Sequence, residues 1–349
     1  MTQSSSRLPP VWLSPPAVRL PEIVRTNDDV LRLVRAEFRG TEEAWGPVNR
    51  RIRSLLRACG TDRRHWEANP LPLAGHAATA ARVALAEDGL SADDLDLVLY
   101  GSLAREYFEP STASEVAWML GANRALALDV TAACAGSLLA VQDFVARSAV
   151  DDTLRTGLVC TSSMTPPGFV NYGLQTPDEV AMLGAGLTLG NASTAMVVSR
   201  TQPAGGGGRI RGMLGEGMSA HHELCRASIH GHFVSDGPAI FALARHIPAH
   251  VHRLCDRVGW AVNDVDLFVT HQPSNSVLRA IAGALEVDPH IMPALHSLYG
   301  NCAESSVLLA LRHALDNGRI RPGSKLVMTS AASGFVLASL AVEWEGGPG

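Results

Sequence analysis

DVTAACAGSLLAV, residues 129–141, marks the point where an extended apolar run breaks into small residues and a helix begins. Cys134 lies at that break. The partial positive charge of a helix N-terminus favours thiolate over thiol, and its unbonded backbone N–H groups can hold an oxyanion. The small residues on both sides of Cys134 leave room for a substrate carbonyl to approach. The motif therefore indicates a nucleophile, although a small buried cysteine that packs a strand-to-helix turn has the same local sequence.

The composition is that of an ordinary folded protein. The 349 residues are 46% hydrophobic and 18% charged, with a formal net charge of −5. This charge, and the lack of a basic cluster interleaved with aromatic residues, disfavour nucleic-acid binding. The N-terminal sequence lacks the charged start and apolar core of a signal peptide, and no apolar run approaches the length of a membrane span. We therefore expect a cytoplasmic protein with no membrane partner.

The cysteines and histidines match no metal or disulfide pattern. A chain of this size does not need disulfides to hold a core, so we expect free thiols. The histidine-rich stretch HHELC (221–225) fits no closed zinc spacing, and no metal is expected. The cysteines are scattered at six positions: Cys59, Cys134, Cys160, Cys225, Cys255 and Cys302.

The second half of the chain repeats the order of the first. Residues 93–102 (DDLDLVLYGS) and 263–272 (NDVDLFVTHQ) each read as an acidic turn followed by a buried strand. Residues 298–315 (LYGNCAESSVLLALRHAL) correspond to the stretch around Cys134. Matching the spacings in the two halves pairs Cys134 with Asn301.

This repetition predicts a duplicated α/β unit, whose sheets are covered by helices and whose strand-to-helix turns converge on one cavity. The glycine run at 205–208 is the best linker candidate in the chain. We thus predict an N-terminal half, 1–204, that carries Cys134. The C-terminal half, 205–349, carries the two residues described next.

His271 and Asn301 complete the candidate site. His271 directly follows a buried strand, where open α/β sheets place their ligands, and Asn301 begins a helix. A thiolate, an imidazole and an amide at equivalent corners suit acyl-thioester chemistry. The cysteine takes the acyl group, and the other two side chains polarise a second carbonyl.

These motifs resemble the thiolase superfamily and, within it, ketoacyl synthase III. The resemblance covers the chain from about residue 17 and implies a five-layered α-β-α-β-α fold from two duplicated halves, normally a homodimer. The matching motifs are DVTAACAG around Cys134, HQPSN at His271, YGN at Asn301, GRIRPG at 318–323 and the closing SAASGFVLASLAVEW.

The resemblance also implies the role of each site residue. Cys134 is the acylated nucleophile, and His271 and Asn301 hold a malonyl-type thioester carbonyl and stabilise the enolate formed on decarboxylation. The backbone N–H groups of Cys134 and Ser333 form the oxyanion hole. The acyl donor is an acyl-CoA or a phosphopantetheinyl acyl carrier protein, and no cofactor is permanently bound.

Two glutamates are less clear from the sequence. Some members that join two long acyl chains place a glutamate in the region of Glu109, where it reaches across the dimer as a base. The alternative for Glu109 is a turn residue before Pro110. Glu304 replaces a small residue just after Asn301, and a structural role at a helix N-terminus is its default interpretation.

Three departures from the family concern the donor. Ser54 and Asp62 stand where a tryptophan and an arginine clamp coenzyme A, and Ser276 stands where an arginine docks the carrier protein. Arg279, one helical turn later, either substitutes for that arginine or is a solvated charge. These differences favour specialised metabolism, such as polyketide starter chemistry.

The sequence therefore predicts an acyltransferase with a Cys-His-Asn site that performs a decarboxylative Claisen condensation. Two alternatives stay open. One is a non-condensing enzyme of the same fold, which passes the acyl group to a hydroxyl, an amine or a second carrier protein. The other is a non-catalytic partner subunit, which the presence of both Cys134 and His271 disfavours.

Overall fold

The computed structural model describes residues 9–68, 72–166, 168–228 and 231–347. Short apolar runs form the strands, and amphipathic or alanine-rich stretches form the helices. The strands are β1 (Trp12–Leu13), β2 (Ala17–Arg19), β3 (Ile23–Thr26), β4 (Arg63–Trp66), β5 (Leu97–Tyr100), β6 (Leu126–Asp129), β7 (Thr156–Ser163), β8 (Ala192–Ser199), β9 (Gly207–Gly217), β10 (Cys225–Ala227), β11 (Phe233–Ser235), β12 (Leu267–Thr270), β13 (Lys325–Ala332) and β14 (Val336–Glu345). The helices are α1 (Asn27–Glu37), α2 (Glu42–Cys59), α3 (Leu73–Glu87), α4 (Thr112–Leu120), α5 (Gly136–Ser148), α6 (Pro177–Leu183), α7 (Gly237–Leu243), α8 (His246–Val258), α9 (Asn275–Ala284), α10 (His296–Tyr299) and α11 (Ser306–Asp316).

Ten strands share one hydrogen-bonded network in the order β12-β13-β14-β9-β1-β8-β7-β5-β6, with β2 beside β8. In the first half β5 runs parallel to β6 and β7, and β7 runs antiparallel to β8. The second half has the same arrangement, because β12 runs parallel to β13, which runs antiparallel to β14. Parallel strands covered on both faces are continuously apolar, which explains why LVLY in β5 and LFVT in β12 are fully buried.

The helices form three layers around the strands. Helices α3 and α4 pack on one side of the first-half strands, and α8 and α9 pack on one side of the second-half strands. Between them, α5 and α11 share a core with strands of both halves, in which Phe144 and Leu308 are completely buried. The order helix, strand, helix, strand, helix confirms the predicted five-layered fold. Within the four described ranges, no helix is long and apolar enough to cross a membrane.

The glycine run is not a flexible break, so its interpretation as a linker is wrong. Gly207 and Gly208 begin β9 and pair with the end of β14. A Cβ atom on Gly207 would lie 2.6 Å from the carbonyl oxygen of Leu13, and one on Gly208 would lie 2.5 Å from Val342 Cγ1. Glycine is favoured at both positions because neighbouring backbone and side-chain atoms lie too close for a Cβ atom. The division into halves at residues 204 and 205 remains a prediction.

Candidate active site

Cys134 lies in a 3-10 helical turn, Ala133–Ala135, directly before α5. The turn needs an unusual backbone at Ala133, whose φ is +44°. The hydroxyl of Ser330, on β13, donates a hydrogen bond of 2.9 Å to the carbonyl oxygen of Cys134. Cys134 is therefore held by its own turn on one side and by a strand of the other half on the other.

The second half builds the same turn at Ala303–Ser305, before α11, with a φ of +41° at Ala303. Positions in the two halves correspond at a constant separation of 170 residues (266 − 96, 271 − 101 and 304 − 134). The reference points are Asp96 and Asp266, each of which accepts a backbone N–H from the neighbouring parallel strand, at 2.9 Å from Thr156 and 2.7 Å from Lys325.

This correspondence corrects the sequence alignment of the two halves. Glu304, and not Asn301, occupies the position of Cys134. Asn301 lies three residues earlier and precedes the turn, so it does not begin the helix. His271 occupies the position of Gly101. In the first half the backbone of Gly136 lies directly against Gly101, whereas in the second half the imidazole of His271 lines the cavity.

Cys134, His271 and Asn301 line one cavity of about 610 Å³, as predicted. Glu304 and Cys225 line the same cavity, and the sequence analysis did not place either of them there. The correct alignment of the two halves would have predicted the position of Glu304, because it pairs Glu304 with Cys134. No sequence pattern predicted that Cys225 lines the cavity. Much of the remaining wall is apolar, with contributions from Leu55, Phe169, Leu224, Phe233, Phe241, Ile281 and Phe335.

His271 is fixed by its backbone, whose N–H donates to the carbonyl oxygen of Thr329 at 2.9 Å. Burial lowers the pKa of His271 to about 4, so the imidazole is neutral at pH 7. Its Nδ1 atom is buried and has no hydrogen-bond partner among the described residues. The side-chain oxygen of Asn301 accepts the N–H of Ala303 at 2.9 Å, an orientation that leaves its NH2 group to act as a donor.

The Cys134 thiol is protonated at rest. Burial raises its pKa, and the charge of Glu304 raises it further. The prediction of a thiolate from the helix N-terminus did not take this burial into account. For Cys134 to react as a nucleophile, its thiol proton would have to move to another group.

The remaining predicted residues differ in whether they line the cavity. Ser333, in the turn between β13 and β14, lines the cavity, and its role in the oxyanion hole stays a prediction. Glu109 is exposed and is not part of the cavity wall of its own chain. Ser54 and Asp62 are exposed, whereas Ser276 lines the cavity. In the part of the chain that the structure describes, no group of three or more His, Cys, Asp or Glu residues is placed to hold a metal.

Comparisons with known proteins agree with this fold. The family model of 3-oxoacyl-[acyl-carrier-protein (ACP)] synthase III C terminal matches residues 255–344. Beta-ketoacyl-[acyl-carrier-protein] synthase III of Symbiobacterium thermophilum is 28% identical and covers 97% of this chain and 99% of its own. The Pseudomonas aeruginosa PAO1 protein of that name is 29% identical over 93% of this chain and 94% of its own.

Two solved structures have the same fold. FabH from P. aeruginosa PAO1 is 25% identical with a TM-score of 0.81, over 97% of this chain and 100% of its own. A variant of Xanthomonas campestris OleA with bound lauric acid and lauroyl-CoA is 21% identical with a TM-score of 0.86, over 97% and 100% of the two chains. The chain therefore has the fold of the thiolase superfamily. Within that superfamily, it is similar in sequence and structure to ketoacyl synthase III, and the curated relatives named above are synthases.

Replacement of His271 by Gln is expected to flatten the acid side of the stability profile. The unfolded chain binds a proton at this position below about pH 6.5, whereas the folded chain does so only below about pH 4. Stability from this group is therefore lost as the pH falls, by about 2 kcal/mol between pH 7 and pH 5. Urea unfolding of wild type and His271→Gln at both pH values measures the difference. An equal loss in the two proteins would contradict a neutral buried imidazole.

Proposed function

We propose that the protein is an acyl-thioester condensing enzyme. The observation that carries the proposal is the convergence of Cys134, His271 and Asn301 on one cavity. An acyl group passes from a donor thioester to Cys134, and the donor leaves as a free thiol. A malonyl-type thioester then loses CO2, and the enolate oxygen is held by the His271 imidazole and the Asn301 amide. The enolate carbon attacks the Cys134 thioester, forms the new C–C bond and releases the cysteine sulfur.

The acyl group we propose is apolar. A cavity of about 610 Å³ with an aromatic and aliphatic wall desolvates a hydrocarbon chain, whereas a polar acyl group would lose its hydration there. The fold neighbour with bound lauroyl-CoA supports this chain class by analogy. Coenzyme A and an acyl carrier protein both remain proposed donors. Arg51, on the cavity-lining face of α2, suits the phosphate that both carry.

The proposed setting is polyketide or other specialised metabolism in the cytoplasm. Exposed Ser54 and Asp62 supply neither the aromatic face nor the guanidinium that the family uses to clamp coenzyme A. The loss of these groups favours a donor other than the one used in general fatty-acid initiation.

Cys134→Ala and Asn301→Ala are expected to separate the two half-reactions. Intact-protein mass spectrometry after exposure to acyl-CoAs and acyl carrier proteins should show an acyl adduct in wild type and Asn301→Ala, and none in Cys134→Ala. Loss of one oxyanion donor should slow formation of the condensation product about 100-fold in Asn301→Ala.

Each alternative gives a different result in the same experiment. Asn301→Ala with unchanged turnover would identify a non-condensing acyltransferase. Absence of an adduct in wild type with every donor would favour the non-catalytic partner subunit.

We propose a homodimer formed through the β6 edge of the sheet. Because β6 is the last strand of the network, one side of it has no neighbouring strand among the residues that the structure describes. Large apolar side chains are exposed around it, among them Phe108 at 88%, Trp118 at 73% and Leu126 at 47%. Such a patch is costly in water and is typical of an interface.

Phe108→Asp is expected to shift the protein toward monomer, because a buried charge at the interface is unpaired. Val150→Asp is the matched control, since Val150 is 89% exposed and follows the C-terminus of α5, away from β6 in the chain. Light scattering with size-exclusion chromatography measures both molar masses. A Phe108→Asp protein that keeps the wild-type molar mass would refute this interface.

We propose Glu109 as a cross-dimer base because it lies next to Phe108 in the exposed segment beside β6. Mixing Glu109→Ala and Cys134→Ala chains should then restore activity, since each hybrid dimer contains one complete site. Random association gives up to about a quarter of wild-type activity. Activity that stays at the level of the separate variants would leave Glu109 as a turn residue.

A further inference from the structure

Glu304 is a completely buried carboxyl group in the wall of the catalytic cavity. Its Oε1 atom accepts a hydrogen bond from the hydroxyl of Ser102, which follows β5. Its backbone carbonyl oxygen accepts the hydroxyl of Ser137, on α5, at 2.9 Å. Its Oε2 atom is buried and has no partner among the described residues.

The fold alone does not explain this carboxyl group. The matching turn of the first half has the small Cys134 at the same position, and burial of a carboxyl group with one unpaired oxygen is costly. The titratable groups near the Glu304 carboxyl group are Tyr100, Cys134 and Cys302, whose pKa values its charge raises, and His271 in the same cavity wall. The arginines of α5 and α11, which also pack against the Glu304 turn, pair with other carboxylates: Arg147 with Asp143, and Arg312 with Glu87 and Asp316. The imidazole of His271 is neutral at pH 7, so among the described residues no cation forms a salt bridge that would hold Glu304 as an ion.

We propose that Glu304 is the proton acceptor for the Cys134 thiol during acylation, a role that rests on the acyl transfer proposed above. As the Cys134 sulfur forms its bond to the acyl carbon, the thiol proton passes to Oε2 of Glu304. The bond between the acyl carbon and the donor sulfur breaks, and the donor leaves as a thiolate. The carboxyl group then returns the proton to that thiolate, which departs as a neutral thiol.

Of the two candidate proton acceptors in the cavity, Glu304 is the better matched to neutral pH. Burial raises the pKa of Glu304 to about 7, which suits a group that accepts and returns a proton near neutral pH. The imidazole of His271, with a pKa near 4, is a much weaker acceptor at the same pH. The Ser102 hydrogen bond lowers the pKa of Glu304, so this contact tunes the acceptor.

Alkylation of Cys134 by iodoacetamide tests the proposal without knowledge of the natural donor. The rate at Cys134, followed by peptide mass spectrometry from pH 5.5 to 9, should rise in wild type with a midpoint near pH 7. Glu304→Gln keeps the shape of the side chain but cannot accept the proton. It should lose that midpoint and react at least about tenfold more slowly at pH 7.5.

Ser102→Ala provides a second measurement that does not depend on the folding of the Gln variant. Removal of the hydroxyl should move the midpoint to higher pH, because the hydrogen bond lowers the pKa of Glu304. A merely structural role for Glu304 would not move the midpoint. Glu22→Gln removes an exposed carboxyl group and should leave the wild-type profile unchanged.

The opposite results are equally specific. A Glu304→Gln protein that reacts at the wild-type rate with the same midpoint would overturn the proposal. Faster reaction would also overturn it, because it would show that the carboxylate only opposes the thiolate. If alkylation depends on Glu304 but acyl-CoAs and acyl carrier proteins give no adduct, the proposed function fails and the proton acceptor stands.

Discussion

The close approach of two glycine backbones fixes the position of Cys134. A Cβ atom on Gly136 would lie 2.4 Å from the carbonyl oxygen of Gly101, and one on Gly101 would lie 2.6 Å from that of Gly136. Backbone atoms cannot rotate out of the way as a side chain can, so any larger residue forces the start of α5 away from the end of β5. This contact places the Cys134 turn, and it also sets Ser102 beside the second half, where its hydroxyl meets Glu304.

One site arises from a repeat because the two halves use the same positions differently. The first half has glycine where the second has His271, and the second half has Glu304 where the first has Cys134. If both halves had the same residue at positions 134 and 304, the site would contain two thiols or two carboxyl groups. Two identical groups do not form a pair in which one donates a proton and the other accepts it. Burial then adjusts both titratable partners toward their neutral forms, with the pKa of His271 lowered and that of Glu304 raised. The two shifts separate a neutral hydrogen-bonding group from a group that can exchange protons near pH 7.

The sequence predicted the fold class and the residues of the cavity that belong to strong motifs, namely Cys134, His271 and Asn301. Its errors have physical causes. Four consecutive glycines usually indicate a flexible segment, but at Gly207 and Gly208 they allow β9 to pack against neighbouring backbone and side chains. The register of the repeat rests on approximate spacings, 38 residues from Asp96 to Cys134 (134 − 96) and 35 from Asp266 to Asn301 (301 − 266), whereas the backbone preserves the positive φ angle of each turn.

The apolar wall of the cavity could not be predicted because much of it lies outside the repeated units. The same origin explains how proteins of one fold can differ in the ligand that their cavity accepts. Much of it comes from α2, from residues 163–190 and from residues 221–247, which connect or precede the repeated strand-to-helix units. These segments have no counterpart in the other half from which their position could be predicted. For example, the rings of Phe169 and Phe233 stack with centroids 5.5 Å apart, although the two residues are 64 positions apart in the sequence (233 − 169). The turns that carry the chemistry are fixed by backbone contacts between the halves, whereas the wall is built from side chains on connecting segments. Substitutions in the wall can therefore alter which ligand fits the cavity without moving Cys134, because the glycine contact that positions it lies elsewhere.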